Sequence, residues 1–235
     1  MSAISHNLQA VHHNISVASQ AASRKPDEVS LLAVSKTWGA DAVLEAARAG
    51  QRAFGENYEQ EAVTKMAAVK AAQPDLALEW HFIGPIQSNK TRSIAEHFDW
   101  VHSVDRERIA RRLSEQRPAH LPPLNVCIQV NISGETSKSG VSVTEVPALA
   151  SVIASLPRLR LRGLMAIPEP ENDPKKQRIP FAQMKLLFER LRAQGFGMDT
   201  LSMGMTDDLP TAVAEGATIV RVGTAIFGQR KTHER

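Results

Sequence analysis

Lys36 closes the apolar run Leu31-Leu32-Ala33-Val34-Ser35. At the end of such a run a lysine is partly desolvated, which lowers an ammonium pKa and enlarges its neutral fraction. A neutral amine attacks aldehydes and forms a Schiff base. The plainer reading is a lysine whose stem lies on apolar surface while its head reaches water. Near the other end of the chain, Val220-Arg221-Val222-Gly223-Thr224-Ala225-Ile226-Phe227-Gly228 reads as a strand, a Gly-Thr turn and the start of a short helix. Gly223 admits a ligand close to the backbone. The turn offers N–H groups and the Thr224 hydroxyl, a pattern that holds phosphate at a helix start. An ordinary helix start with Thr as N-cap fits the same residues. Ser202 and Gly204, at the end of the preceding apolar run, can supply the other side of such a cradle.

For these groups to meet, the intervening chain must return repeatedly to one end of a sheet. Short runs rich in Val, Ile, Leu or Phe alternate with longer Ala/Glu/Arg/Lys-rich runs of helical period. Strands are expected at 29–35, 52–55, 79–83, 100–103, 124–131, 159–167, 200–203 and 219–222. Helices are expected at 40–49, 59–72, 89–97, 106–116, 144–155, 180–194 and 209–215. Each helix carries the chain back to begin another parallel strand. Eight strands joined this way fit a closed (β/α)8 TIM barrel better than an open sheet, whose phosphate loop would follow the first strand. Val34-Ser35-Lys36-Thr37-Trp38-Gly39 holds no such glycine pattern. The expectation is an α/β chain forming one barrel domain over 1–235. An additional helix within 1–24, with Ile4, Leu8, Val11 and Ile15 on one face, is expected to pack on it. Functional residues of such a barrel lie where strands end.

Composition narrows the classes. Of 235 residues 43% are hydrophobic and only 13 are Gly and 13 Pro, which excludes disorder, collagen and coiled coil. No run approaches the roughly 18 apolar residues of a membrane span. The N-terminus lacks the basic start and apolar core of a secretory signal. The single cysteine, Cys127, allows no internal disulfide, and a cytoplasmic protein is expected. Sequons at Asn14, Asn89 and Asn131 carry no weight in that setting. A net charge of +3 comes from dispersed basic residues, so nucleic acid is not an expected partner.

Other residues read more plainly. His81 is expected to be a satisfied wall residue, with a functional role kept open by its nearness to the barrel mouth. No spacing suggests a metal site. Asp207-Asp208 is placed to start a helix. An amine nucleophile and a phosphate cradle on adjacent strands suit a phosphorylated aldehyde, with pyridoxal 5′-phosphate the foremost candidate. A Schiff-base aldolase acting on a phosphorylated sugar would use the same two features.

The segments that carry these residues are familiar. They are Leu31 through Thr37, Phe54 through Tyr58, Trp80 through Lys90, Ser137 through Gly140, Gly163 through Pro168, Leu201 through Asp208 and Val220 through Gly228. In this order, over essentially the whole chain, they resemble the pyridoxal phosphate homeostasis protein family, barrels related to the N-terminal domain of alanine racemases. The resemblance implies that Lys36 holds the cofactor as a Schiff base and that Ser202, Gly223 and Thr224 hold its phosphate. It implies Arg221 at the pyridine nitrogen and Asn57 near the ring, with His81 and Met165 in matching motifs on the barrel wall. Lys138, in the loop after the fifth strand, is a second lysine that could carry cofactor in transit, or a solvated loop charge.

The implied role is to bind and deliver the cofactor, keeping pools of free cofactor and amino acids in balance without established turnover. Partners would be pyridoxal phosphate and the apo-enzymes that use it, and the expected state is a monomer. The enzyme alternative is an amino-acid racemase. Racemases of this relationship take a tyrosine from a further C-terminal domain. Ending at Arg235, this chain is expected to lack that domain, and its single tyrosine, Tyr58, is expected to pack locally.

Overall fold

Every expected strand forms, and every one is followed by a helix. In the computed structural model, which describes residues 2–134 and 139–229, the strands are β1 (Ser30–Val34), β2 (Ala53–Glu56), β3 (Glu79–Phe82), β4 (Trp100–Val104), β5 (Leu124–Gln129), β6 (Leu159–Met165), β7 (Thr200–Ser202) and β8 (Ile219–Val222). The helices are α1 (Ala3–Ala21), α2 (Ala40–Arg48), α3 (Glu59–Ala72), α4 (Thr91–His97), α5 (Glu107–Gln116), α6 (Val146–Ser155), α7 (Pro174–Ala193), α8 (Leu209–Ala214) and α9 (Thr224–Phe227). Each strand pairs in parallel with its neighbour in sequence, and β8 pairs with β1 to close the barrel. The closing register sets Ser30 beside Ile219 and Ala33 beside Val222. Lys36 and Gly223 therefore leave adjacent strands at the same end.

Side chains alternate between two layers, as the pleat requires. One layer faces the helices: Ala33, Val101, Leu164, Leu201, Val220 and Val222 join the main apolar core there. The other fills the lumen. Its apolar residues include a separate cluster of Trp100, Cys127 and Met165. Beside it stand buried polar groups, His81, His102, Ser202 and Arg221. Gly163 lets the strands approach: a Cβ there would lie 1.7 Å from the Thr200 carbonyl oxygen.

Helix α1 is capped by Ser2, whose hydroxyl accepts from the Ser5 N–H at 3.2 Å. It buries Ile4, Leu8, Val11 and Ile15 and packs on α8, α9 and α2. Asn7 adds a bond from Nδ2 to the Ile226 carbonyl at 2.9 Å. Helix α7 begins six residues before the expected start. Asp173 caps it through the Lys175 N–H at 2.9 Å, and Pro174 fills the first turn, where no N–H is needed. Pro180 lies inside the helix at a cost of about 3 kcal/mol. Strands β5 and β6 each end two residues early, Val130 keeping only a single bridge to Val141. Among the described residues no helix is long and apolar enough to cross a membrane.

Candidate functional site

Lys36 begins the turn after β1 and is partly buried. The next residue, Thr37, has φ +68°, a left-handed conformation that a β-branched residue adopts only when its surroundings enforce it. The enforcement comes from α3. The Thr37 N–H donates to Glu61 Oε1 at 2.6 Å. Lys65 Nζ, itself buried, donates to Glu61 Oε1 at 3.0 Å, to Glu56 Oε1 at 2.6 Å and to the Ser35 carbonyl at 2.8 Å. The Ser35 hydroxyl donates to Glu56 Oε1 at 2.5 Å. The residues on both sides of Lys36 are thus fixed by one buried charge cluster. Burial raises the Glu56 pKa, with Lys65 opposing it. A groove of about 560 Å³, lined by Thr37, Trp38, Glu61 and Lys65, opens beside this turn.

Asn57 follows β2 and is pressed from behind by the next loop. A Cβ on Gly84 would lie 2.2 Å from the Asn57 carbonyl oxygen, so only glycine permits that contact. Asn57 Oδ1 is buried and has no hydrogen-bond partner among the described residues, an acceptor left open for a ligand. On the other side, Gly223 precedes the single turn of α9. Its Cα lies close enough to β1 that a Cβ would meet the Val34 carbonyl oxygen at 3.1 Å. The Gly223 carbonyl accepts from the Ile226 and Phe227 N–H groups at 2.9 Å. The first N–H groups of a helix have no acceptor within it. Thr224 is exposed at that turn.

Arg221 lies between these two sides with its guanidinium in the lumen. Nη1 donates to the Ser202 carbonyl at 2.7 Å and hydroxyl at 2.8 Å, and Nη2 to the Ala166 carbonyl at 2.9 Å. Three hydrogen bonds occupy a group with five N–H donors, which leaves donor capacity for a ligand. Burial lowers its pKa to about 10, so it stays cationic at neutral pH. Gly204, at φ +97°, turns its carbonyl to accept the Arg221 backbone N–H at 2.9 Å. The Ser202 hydroxyl is engaged by Arg221 and by His102 Nδ1 at 2.7 Å, so a phosphate contact from it must share these bonds.

The structure therefore gathers Lys36, Asn57, Gly204, Arg221, Gly223 and Thr224 around one mouth of the barrel. His81 lies deeper, lining the cavity at the opposite mouth, while Met165, the last residue of β6, is buried in the lumen with Trp100 and Cys127. Lys138 falls outside the described residues. Among the described residues no group of His, Cys, Asp and Glu is arranged for a metal ion. Cys127 is buried with its thiol pKa pushed up to about 12.

Sequence reasoning passed over Glu56, Glu61, Lys65 and His102. A usable signal for His102 was present. Trp100 and His102 on β4, like Glu79 and His81 on β3, alternate as a polar face on otherwise apolar strands.

Comparison with known proteins follows the same residues. The family described as alanine racemase, N-terminal domain, matches residues 6–231. A pyridoxal phosphate homeostasis protein of Pseudomonas aeruginosa is 61% identical over 230 residues, covering 98% of this chain and 97% of its own. One from Escherichia coli is 56% identical and covers 98% of both chains. The structure of PipY from Synechococcus elongatus with PLP bound superposes with a TM-score of 0.81 at 37% identity, over 96% of this chain and all of its own. A chain matched over nearly its whole length at these identities belongs to the pyridoxal phosphate homeostasis proteins, within the alanine racemase N-terminal-domain family.

Proposed function

We propose that this chain holds pyridoxal 5′-phosphate on Lys36 and passes it to apo-enzymes, with no substantial turnover of its own. Bound there, the cofactor supplies an aldehyde that bonds reversibly to a primary amine. Lys36 provides that amine, and the Glu56–Lys65–Glu61 cluster fixes the turn that presents it. The α9 turn at Gly223 and Thr224 receives the phosphate on backbone N–H groups. The open Asn57 Oδ1 is a polar contact waiting at the same mouth.

Arg221 is the observation that carries the reading. It is buried and cationic, and a guanidinium only donates. Facing the pyridine nitrogen, it would leave that nitrogen unprotonated, and a ring so held withdraws electrons weakly. That slows carbanion chemistry, although the related racemases share this arginine and it does not by itself separate carrier from racemase. The homeostasis name carried by relatives at 61% and 56% identity supports the same reading, as does PipY with PLP bound. Cytoplasmic location, a monomeric state and an organisation as one barrel domain over 1–235 belong to this proposal.

Incubation with pyridoxal phosphate, borohydride reduction and peptide mass spectrometry test it. The expected result is one phosphopyridoxyl adduct, on Lys36, lost in Lys36→Ala, with no loss of optical activity from added L-alanine. An unmodified Lys36 would overturn the cofactor reading. Racemisation at an enzyme's rate would overturn the carrier reading.

A further inference from the structure

A hydrogen-bonded chain runs the length of the barrel lumen, from Arg221 to the mouth opposite Lys36. Arg221 Nη1 meets the Ser202 hydroxyl at 2.8 Å, and Ser202 meets His102 Nδ1 at 2.7 Å. His102 Nε2 meets His81 Nδ1 at 2.8 Å, and His81 Nε2 meets Glu79 Oε1 at 2.7 Å. The Ser202, His102 and His81 side chains are buried, while Glu79 is half exposed. Glu79 lines a cavity of about 450 Å³ together with Trp100, Arg162, Asp199 and Arg24. That cavity is framed by residues that open the strands, Ser30, Ala53, Trp100, Thr200 and Ile219 among them, and so lies at the N-terminal mouth.

The carboxylate end of this chain fixes its direction. A guanidinium only donates and an ionised carboxylate only accepts. Counting back from Glu79 with both histidines neutral, His102 Nδ1 is an acceptor, so the Ser202 hydroxyl donates to it while Ser202 Oγ accepts from Arg221 Nη1. His102 then carries its proton on Nε2 and donates to His81 Nδ1, and His81 donates from Nε2 to Glu79. Reversing any link sets two acceptors against each other at Glu79. The charges agree. The hydrogen bond from His81 holds the Glu79 carboxyl below its usual range. Burial holds His81 and His102 neutral, with Arg221 and His81 adding to the effect on His102. The Glu79–His81 contact is therefore a charge-assisted hydrogen bond and not an ion pair. Among the described residues, the charged and titratable groups facing the chain are Asp99 beside Glu79 and His81, Arg162, Asp199, Arg24 and Glu28 in the cavity with Glu79, and Asp208 and the buried Cys127 beside Arg221.

We propose that Glu79, His81 and His102 are positioning residues that orient Arg221 from the far mouth of the barrel and transmit to it the charge state of Glu79. Whatever neutralises Glu79, whether a proton or a ligand in the lower cavity, is then felt by the group that Arg221 faces. Only this last step rests on the cofactor reading above.

Imidazole nitrogen NMR of the full, cofactor-free chain tests the wire directly. His81 and His102 are expected as neutral Nε2–H tautomers at neutral pH. Glu79→Leu is expected to shift the His102 ring nitrogens although His81 stands between, and Glu79→Gln, whose amide oxygen still accepts, to shift them less. An Nδ1–H tautomer, a cationic ring at neutral pH, or a His102 signal unmoved by Glu79→Leu would overturn the proposal. In loaded protein, the pH midpoint of the cofactor's absorption change is expected to fall in Glu79→Leu, which removes a negative charge from the end of the wire. The shift is expected to shrink in an Arg221→Gln background to its through-space part alone, and an undiminished shift there would overturn transmission through Arg221. If Lys36 takes up no cofactor, the carrier reading fails while the cofactor-free spectra still decide the wire.

Discussion

Replacing Lys65 with Met removes the cation from a cluster in which its own side chain is 3% exposed and that of Glu56 is 0% exposed. The loss comprises three hydrogen bonds, to Ser35, Glu56 and Glu61, and it leaves the Glu56 carboxylate buried without its counter-charge. Removing one member of a buried pair costs about 3–5 kcal/mol, chiefly through the charge left behind. The double variant Lys65→Met, Glu56→Gln should regain about 2 kcal/mol or more, because a neutral amide replaces the stranded charge. A second signature lies in pH. The Glu56 carboxyl is raised above its ordinary 4.5 by burial, so the folded state binds more protons than the unfolded one above that value. Stability therefore falls as pH rises, by up to about 1.4 kcal/mol per unit, until the folded pKa is passed. Without Lys65 that window widens, and the penalty should be smaller at pH 5 than at pH 8. Urea denaturation followed by circular dichroism at both pH values measures all of this. A cost under 1 kcal/mol, or a double variant no better than the single, would refute the claim that this pair carries the Lys36 turn.

Further expectations follow from other parts of the barrel. Gly163→Ala puts a methyl 1.7 Å from the Thr200 carbonyl oxygen, so soluble yield should collapse and the thermal midpoint of any recovered protein should drop sharply. His81 and His102 are held neutral by burial, so their stabilisation is complete above the unfolded pKa near 6.5 and is lost as pH falls below it. The urea midpoint should decline below pH 6.5, less steeply in His102→Leu, by up to about 1.4 kcal/mol per pH unit for each histidine. Cys127, buried with its thiol near pKa 12, should resist iodoacetamide in the folded protein and react on unfolding, as intact mass would record.

Much of this molecule is legible in its sequence because strand and helix periods are local properties. β8 has the expected bounds, α3 also matches, and the mouth residues fall where strand ends put them. Helix α7 shows where local signals compete. Pro180 is a valid first-turn proline, yet Asp173-Pro174 provides a better start and tertiary packing tolerates the later proline. The Lys65–Glu56 pair was hidden for a different reason. Nothing in α3 marks Lys65 as buried, since two of its three partners, the Ser35 carbonyl and Glu56, arrive from the ends of β1 and β2 only once the barrel exists. Ser202 teaches the same point: its place at a strand end is readable, but the bonds to His102 and Arg221 depend on which way the pleat turns its hydroxyl.

Helix α1 has a consequence in time. Its stripe of Ile4, Leu8, Val11 and Ile15 is made roughly 200 residues before its seat on α8 and α9. At about 5–20 residues per second, roughly 200 further residues take about 10–40 s to leave the ribosome. Through that interval a lone helix of this length is marginal in water, and its apolar stripe has only α2, of its three helical neighbours, to pack on. The edge of β1 waits equally long for β8. A nascent chain so arranged is a natural client for holding chaperones. Damage to α1 or α9 should then appear first as lost yield during synthesis, before any defect in the finished protein.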